Sequence, residues 1–161
     1  MSIVFGLICA NLVCALQKRV IPYDIDWKAP QPAGNDLVVI AALHYLVTNK
    51  SWATYFDFKK KRNLLSVDKK DPSDFVIRSF HFTHRFYKGS GCNDTHEGVF
   101  ENDSKKPATL TKMDVSSPKG DKVFVDFWLR SVGWGGGGTR LTVSKVKDEW
   151  TVIHQGQIQK G

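Results

Sequence analysis

The chain has 161 residues, with 42% apolar and 24% charged side chains. That is the make-up of one globular domain around a single core, and it excludes a low-complexity chain. A formal charge of +7 favours anionic surfaces but is modest for a dedicated nucleic-acid binder.

Residues 1–16 carry no charged side chain, and Ile3, Val4, Phe5, Leu7, Ile8, Leu12 and Val13 form an apolar run ahead of Cys14-Ala15. The run falls short of the roughly 20 residues that a bilayer span needs. It reads as a secretory signal over residues 1–15, cleaved after Ala15, so a periplasmic or secreted protein is expected, with no stable membrane span once the signal is removed. A misplaced start or a buried N-terminal strand is the alternative. Cleavage removes Cys9 and Cys14 and leaves Cys92 as the only thiol, which excludes an intramolecular disulfide. Residues 16–34, with Pro22, Pro30 and Pro32, read as an extended leader, and residues 35–161 as a single domain.

A helix is expected from Asn35 or Asp36, either of which has a side chain suited to capping, through Leu37–Val47. Its apolar residues cover most of the circumference, which predicts burial on more than one side. Residues 51–61 fit a short second helix or a turn, and residues 62–67 a strand. Asp71-Pro72 resembles a helix start, with Val76, Phe80, Thr83 and Tyr87 on one face of a helix closed by Gly89 and Gly91. Residues 90–106 are polar and rich in Gly, Asn, Asp and Ser, so an exposed loop is expected. Residues 108–115 fit a strand. Beyond them, Val123, Val125, Phe127 and Leu129 alternate with Phe124, Asp126, Trp128 and Arg130, the period of a half-buried strand. A glycine-rich turn at Gly133–Gly138, a strand at residues 139–146, a polar turn at Lys147-Asp148-Glu149 and a last strand at residues 150–155 complete the pattern. The expected fold class is α+β: N-terminal helices packed on one face of an antiparallel sheet that ends in a three-stranded meander.

Gly133–Gly138 matches G-x-G-x-x-G by letter, but phosphate-binding loops of this kind lead into a helix whose first N–H groups hold the anion. Here Thr139-Arg140-Leu141-Thr142-Val143 follows, which reads as a strand, and the phosphate-loop lysine is absent. The glycines therefore bend backbone at a hairpin. Trp134 within the loop and Trp128 on the preceding strand are the candidate ligand-binding residues.

His81, His84, Cys92 and His96 form an H-x2-H-x7-C-x3-H series. Two imidazoles at helical spacing, a thiolate and a third imidazole make a chemically sensible zinc set, with Asp94 and Glu97 available as further oxygen groups. The competing reading is two half-exposed histidines and a free thiol. Cys92 with His96, or one of Asp114, Asp121 and Asp126, offers catalytic chemistry, but no set of roles is assembled around any of them. Lys59-Lys60-Lys61-Arg62, mixed with Trp52, Tyr55, Phe56 and Phe58, has the make-up of a single-strand binding surface and equally that of a solvated edge. No nucleic-acid partner and no cofactor are expected.

The C-terminal part resembles a loose group of small, exported bacterial proteins. The likeness lies in Lys119-Gly120-Asp121-Lys122-Val123, the glycine-rich hairpin and Trp150-Thr151-Val152, together with Ala41-Ala42-Leu43 and Tyr45-Leu46 upstream. The ending is also similar to that of nuclear-transport-factor-like cone folds, in which a helix crosses a curved sheet and encloses a pocket. The group implies no particular activity. Two functions follow as expectations. One is a non-catalytic domain that binds a small ligand or a partner protein through the sheet face and the Trp134 loop. The other is a small hydrolase-like enzyme with a carboxylate or histidine site in the sheet cavity.

Overall fold

The computed structural model describes residues 31–80 and 84–158, with the side chains of all but Trp134 and Gly135. The expected signal over residues 1–15 and the leader up to residue 30 lie outside the described residues. The fold is α+β, a few helices and a six-stranded, mostly antiparallel sheet. No helix among the described residues is long and apolar enough to cross a membrane.

Helix α1 spans Asp36–Thr48. Asn35 stands at its N-cap without a side-chain hydrogen bond. Asp36 does not cap the helix's own N–H groups either: its Oδ2 accepts from the preceding Ala33 N–H at 3.0 Å and from Ser73 Oγ at 2.8 Å. Val38, Val39, Ile40, Ala42, Leu43, Leu46 and Val47 are all buried, in keeping with the apolar circumference. Asn49 leaves the helix in an extended conformation, and its Oδ1 caps the one-turn helix α2 (Lys50–Ala53) by accepting from Ser51 N.

Strand β1 (Arg62–Val67) leads to helix α3 (Asp74–Ser79) and strand β2 (Phe86–Lys88). The long helix expected from Asp71 is thus a helix of six residues. Pro72 precedes its N-cap, and Ser73 Oγ caps it by accepting from Val76 N at 3.2 Å. The chain then becomes strand, because Phe86, Tyr87 and Lys88 pair in parallel with Asn63, Leu64 and Leu65 of β1. After a 3-10 turn at Gly89–Gly91 come β3 (Cys92–Thr95) and β4 (Gly98–Glu101), an antiparallel hairpin where an exposed loop was expected. The remaining strands are β5 (Ala108–Val115), β6 (Lys122–Ser131), β7 (Trp134–Val146) and β8 (Glu149–Gly156).

The main sheet runs β2-β1-β5-β6-β7-β8. Its β2-β1 and β1-β5 pairs are parallel and the others antiparallel, so the sheet is mixed where an antiparallel one was expected. Helix α1 packs on β6, β7, β8 and α3. On the helix-side face Val123, Val125, Phe127 and Leu129 of β6 are each at most 1% exposed. Full burial of such side chains stabilises by about 1.5–3 kcal/mol apiece. Leu65, Met113, Leu141, Val143, Phe80 and Phe86 belong to the same core, with the buried residues of α1 and Phe56, Phe75 and Val76. A smaller cluster lies on the opposite, outer face, where Leu64, Ala108 and Leu110 of the main sheet meet Val99 of the hairpin. Gly98, at φ +139°, lets the hairpin approach so closely that a Cβ there would meet Val132 at 2.8 Å. The hairpin therefore covers one end of the outer face and leaves the middle open.

Candidate functional site

The glycine run is strand, not loop. The β6–β7 connection is a two-residue turn at Val132-Gly133, with Ser131 opposite Trp134, and Gly135–Gly138 belong to β7. Two of these glycines have steric reasons. Gly136, at φ +102°, sits where the β6–β7 register shifts between Leu129 and Ser131. Gly138 is the cross-strand partner of Trp128, and a Cβ on it would stand 2.5 Å from the Phe127 carbonyl oxygen and 2.7 Å from Cε3 of Trp128. The indole of Trp128 thus lies over Gly138, in space that any other residue would occupy. Though packed there, it is 41% exposed.

Beside the indole is a charged rim. β5 alternates so that Leu110 and Lys112 share the outer face with Trp128 and Arg130 of β6. Asp94 comes from the hairpin above. Lys112 Nζ donates to Asp94 Oδ2 at 2.7 Å, and Arg130 Nη1 lies 2.9 Å from Asp94 Oδ1. The second contact lacks the alignment of a hydrogen bond, so charge alone joins the two groups there. Arg130 Nη2 also donates to the Thr95 carbonyl, which ties the guanidinium to the hairpin backbone. Trp128, Leu129, Arg130, Gly136, Gly137, Leu110, Lys112 and Asp94 line an open depression of about 260 Å³. One carboxylate serves two cations, so its lining carries one net positive charge. The next cation along the face, Arg140, is occupied: Nε and Nη2 both donate to the Asp126 carboxylate at 2.6 Å. That hydrogen-bonded pairing raises the Arg140 pKa further above its ordinary range.

Of the two tryptophans expected to bind ligand, Trp128 lies in the depression. Trp134 opens β7, and its side chain lies outside the described part of the structure. Lys112 and Arg130 were not singled out from sequence, and Asp94 was named only as a further oxygen group for the expected metal set. Arg130 was open to discovery, since β-alternation puts it on the face of Trp128. Asp94 carried no such signal, because its place depends on the hairpin folding back over the sheet.

The residues proposed from sequence as metal ligands are dispersed in character. His81 lies outside the described residues. His84 comes after α3, not on it, and packs edge-on against Phe58 at 4.8 Å. Burial lowers its pKa. Cys92 opens β3 with Sγ donating to the Gly89 carbonyl at 3.2 Å, and burial, with the Asp94 charge, raises its thiol pKa. His96 stands at the hairpin tip, exposed, with Nε2 3.8 Å from Glu97. Among the described residues no group of three or more His, Cys, Asp or Glu could hold a metal ion.

The helix-side face carries a different feature. Asn63, Thr109 and Ser131 form one cross-strand row, and Thr111 lies one step along from it. Asn63, Thr109 and Thr111 are fully buried, yet Asn63 Oδ1 and both threonine hydroxyls have no hydrogen-bond partner among the described residues. No Asp, Glu or His is among the fully buried residues of the described structure. In comparisons with known proteins, no family model, curated protein or solved structure matches the chain.

Proposed function

We propose that the chain is an exported, non-catalytic binding domain, and that its ligand surface is the outer sheet face around Trp128. The finer plan of the fold belongs to this proposal: helices close one face of a sheet ending in a three-stranded meander, and the other face is left for recognition. The observation that carries it is Trp128 itself. A large aromatic ring is held over Gly138 at 41% exposure, next to cations fixed by Asp94. Binding hot spots are enriched in Trp and Arg, and rigid side chains lose little entropy when they engage a ligand. The helix-side face is packed largely with apolar side chains, and none of the fully buried residues among those described is an Asp, Glu or His, which supports binding over catalysis. The uncharged run over residues 1–16 and the likeness to small exported bacterial proteins support export.

The test is a two-dimensional NMR screen with monosaccharides, acidic and neutral oligosaccharides, nucleotides and short peptides. Binding here moves the Trp128 indole N–H together with the amides of Gly136, Gly137 and Arg130. Ligands that perturb only the helix side, or that bind Trp128→Ala as well as they bind the parent, would rule the proposal out. Export is checked by mass spectrometry of the mature chain recovered outside the cytoplasm, expected to begin at Leu16.

A further inference from the structure

The depression around Trp128 also specifies a chemical class, an inference that rests on the binding surface just proposed. Three properties constrain the occupant. First, the floor is flat and apolar where Trp128 lies over Gly138, so the ligand must present a flat apolar or aromatic face. Second, the rim is rich in donors. Lys112 and Arg130 have no acceptor atoms, and the single carboxylate between them is already engaged by both. The partner must therefore bring acceptors, and the net positive charge favours an anion. Third, the site is open and shallow, and Gly136 and Gly137 bring no side chain to enclose the ligand. A unit of an extended polymer lies across such a surface more readily than a small molecule is engulfed by it.

A single nucleic-acid strand meets the first two conditions but needs a track of uncommitted cations along its backbone. Around the depression the described residues do not form that track. Arg140 is locked to Asp126, Arg62 lies 3.6 Å from Glu101, and Asp114 adds an exposed negative charge on the same face. Within the depression the net positive charge comes from Lys112 and Arg130. We infer that the depression takes a carboxylate-bearing sugar unit, with the C–H face of the ring on Trp128 and the carboxylate against Lys112 and Arg130. Lys112 is the main contact, being the more exposed of the two cations, while Arg130 is braced by Thr95.

Calorimetric and fluorescence titrations of the full chain with an oligomer of galacturonic acid test this, with a galactose oligomer, oligothymidylate and inorganic phosphate run alongside. The acidic sugar should bind saturably, weaken as salt rises, and exceed the neutral sugar by about tenfold or more. Lys112→Ala should lower its affinity about tenfold and that of the neutral oligomer by clearly less. Trp128→Phe should weaken both sugars. Lys112 is half in solvent, so that variant keeps the fold, which circular dichroism checks. Equal binding of the two sugars overturns the assigned class, as does binding of oligothymidylate or phosphate at Trp128 in preference to the acidic sugar. In either case the surface proposed above survives. If no probe of any class moves Trp128, the inference and the surface both fall.

Discussion

Gly138 and Thr111 depend on their neighbours in opposite ways. At Gly138 the neighbours leave no room: backbone lies on one side and the Trp128 ring on the other. Gly138→Ala must displace either the Phe127 carbonyl or the indole, and overpacking of this kind costs about 1–3 kcal/mol. Urea denaturation should give that loss, and the fluorescence of Trp128 should change in the folded state. An unchanged midpoint would mean that the indole does not lie over Gly138. At Thr111 the neighbours give too little, since a buried hydroxyl with no partner among the described residues forfeits its hydration. Thr111→Val keeps the shape and removes the hydroxyl, so stability should hold or rise by up to about 1 kcal/mol. A clear loss in the same assay would mean that the hydroxyl is hydrogen-bonded after all.

Helices α1 and α3 are coupled through one side chain. Ser73 Oγ accepts from Val76 N at the start of α3 and donates to Asp36 Oδ2 at the start of α1. Ser73→Ala should cost about 1 kcal/mol from the cap alone. Because Asp36 loses a partner in the same step, adding Asp36→Ala should cost less than it does in the parent, and a double-mutant cycle read by chemical denaturation measures the difference. Strict additivity would separate the two helix ends. The same stretch shows what sequence could and could not give. The all-round apolar helix α1 and the alternating strand β6 were legible, since each pattern arises within one element. The 71–87 stretch was not. Val76, Phe80 and Tyr87 fit helical spacing, but after α3 the parallel pairing of β2 with β1 prevails over that local period. The glycines of β7 were misplaced for a similar reason: a run that reads as a loop becomes strand because Trp128 and the β6 backbone supply what its missing side chains do not. Of the site, Trp128 and Arg130 were within reach through alternation, whereas Asp94 reaches the site only once the hairpin has folded over.

Across the whole molecule, acid should destabilise the fold in a window set by two histidines. Burial lowers the His44 pKa, and the His84 charge lowers it further; burial lowers that of His84. Unfolded, both groups titrate near 6.5. In the folded protein they stay neutral to lower pH, so between the folded values and about 6.5 the unfolded chain binds more protons. Stability is therefore fully present above about pH 6.5 and is lost as pH falls from there through the folded-state values. A second loss follows at lower pH. Asp71 is held below its ordinary pKa by hydrogen bonds from Ser90, and Asp74 by its hydrogen bond with Lys88. Both are exposed, so their effect is small and confined to the range below about pH 4. Denaturation midpoints taken from pH 8 to pH 5 should be flat at first and then fall. In a His44→Gln, His84→Gln variant the curve should start lower, because the ring contact of His84 with Phe58 is gone, yet stay level down to about pH 5. The slope, not the starting height, separates titration from packing, and an equal slope in parent and variant would place the proton uptake elsewhere in the molecule.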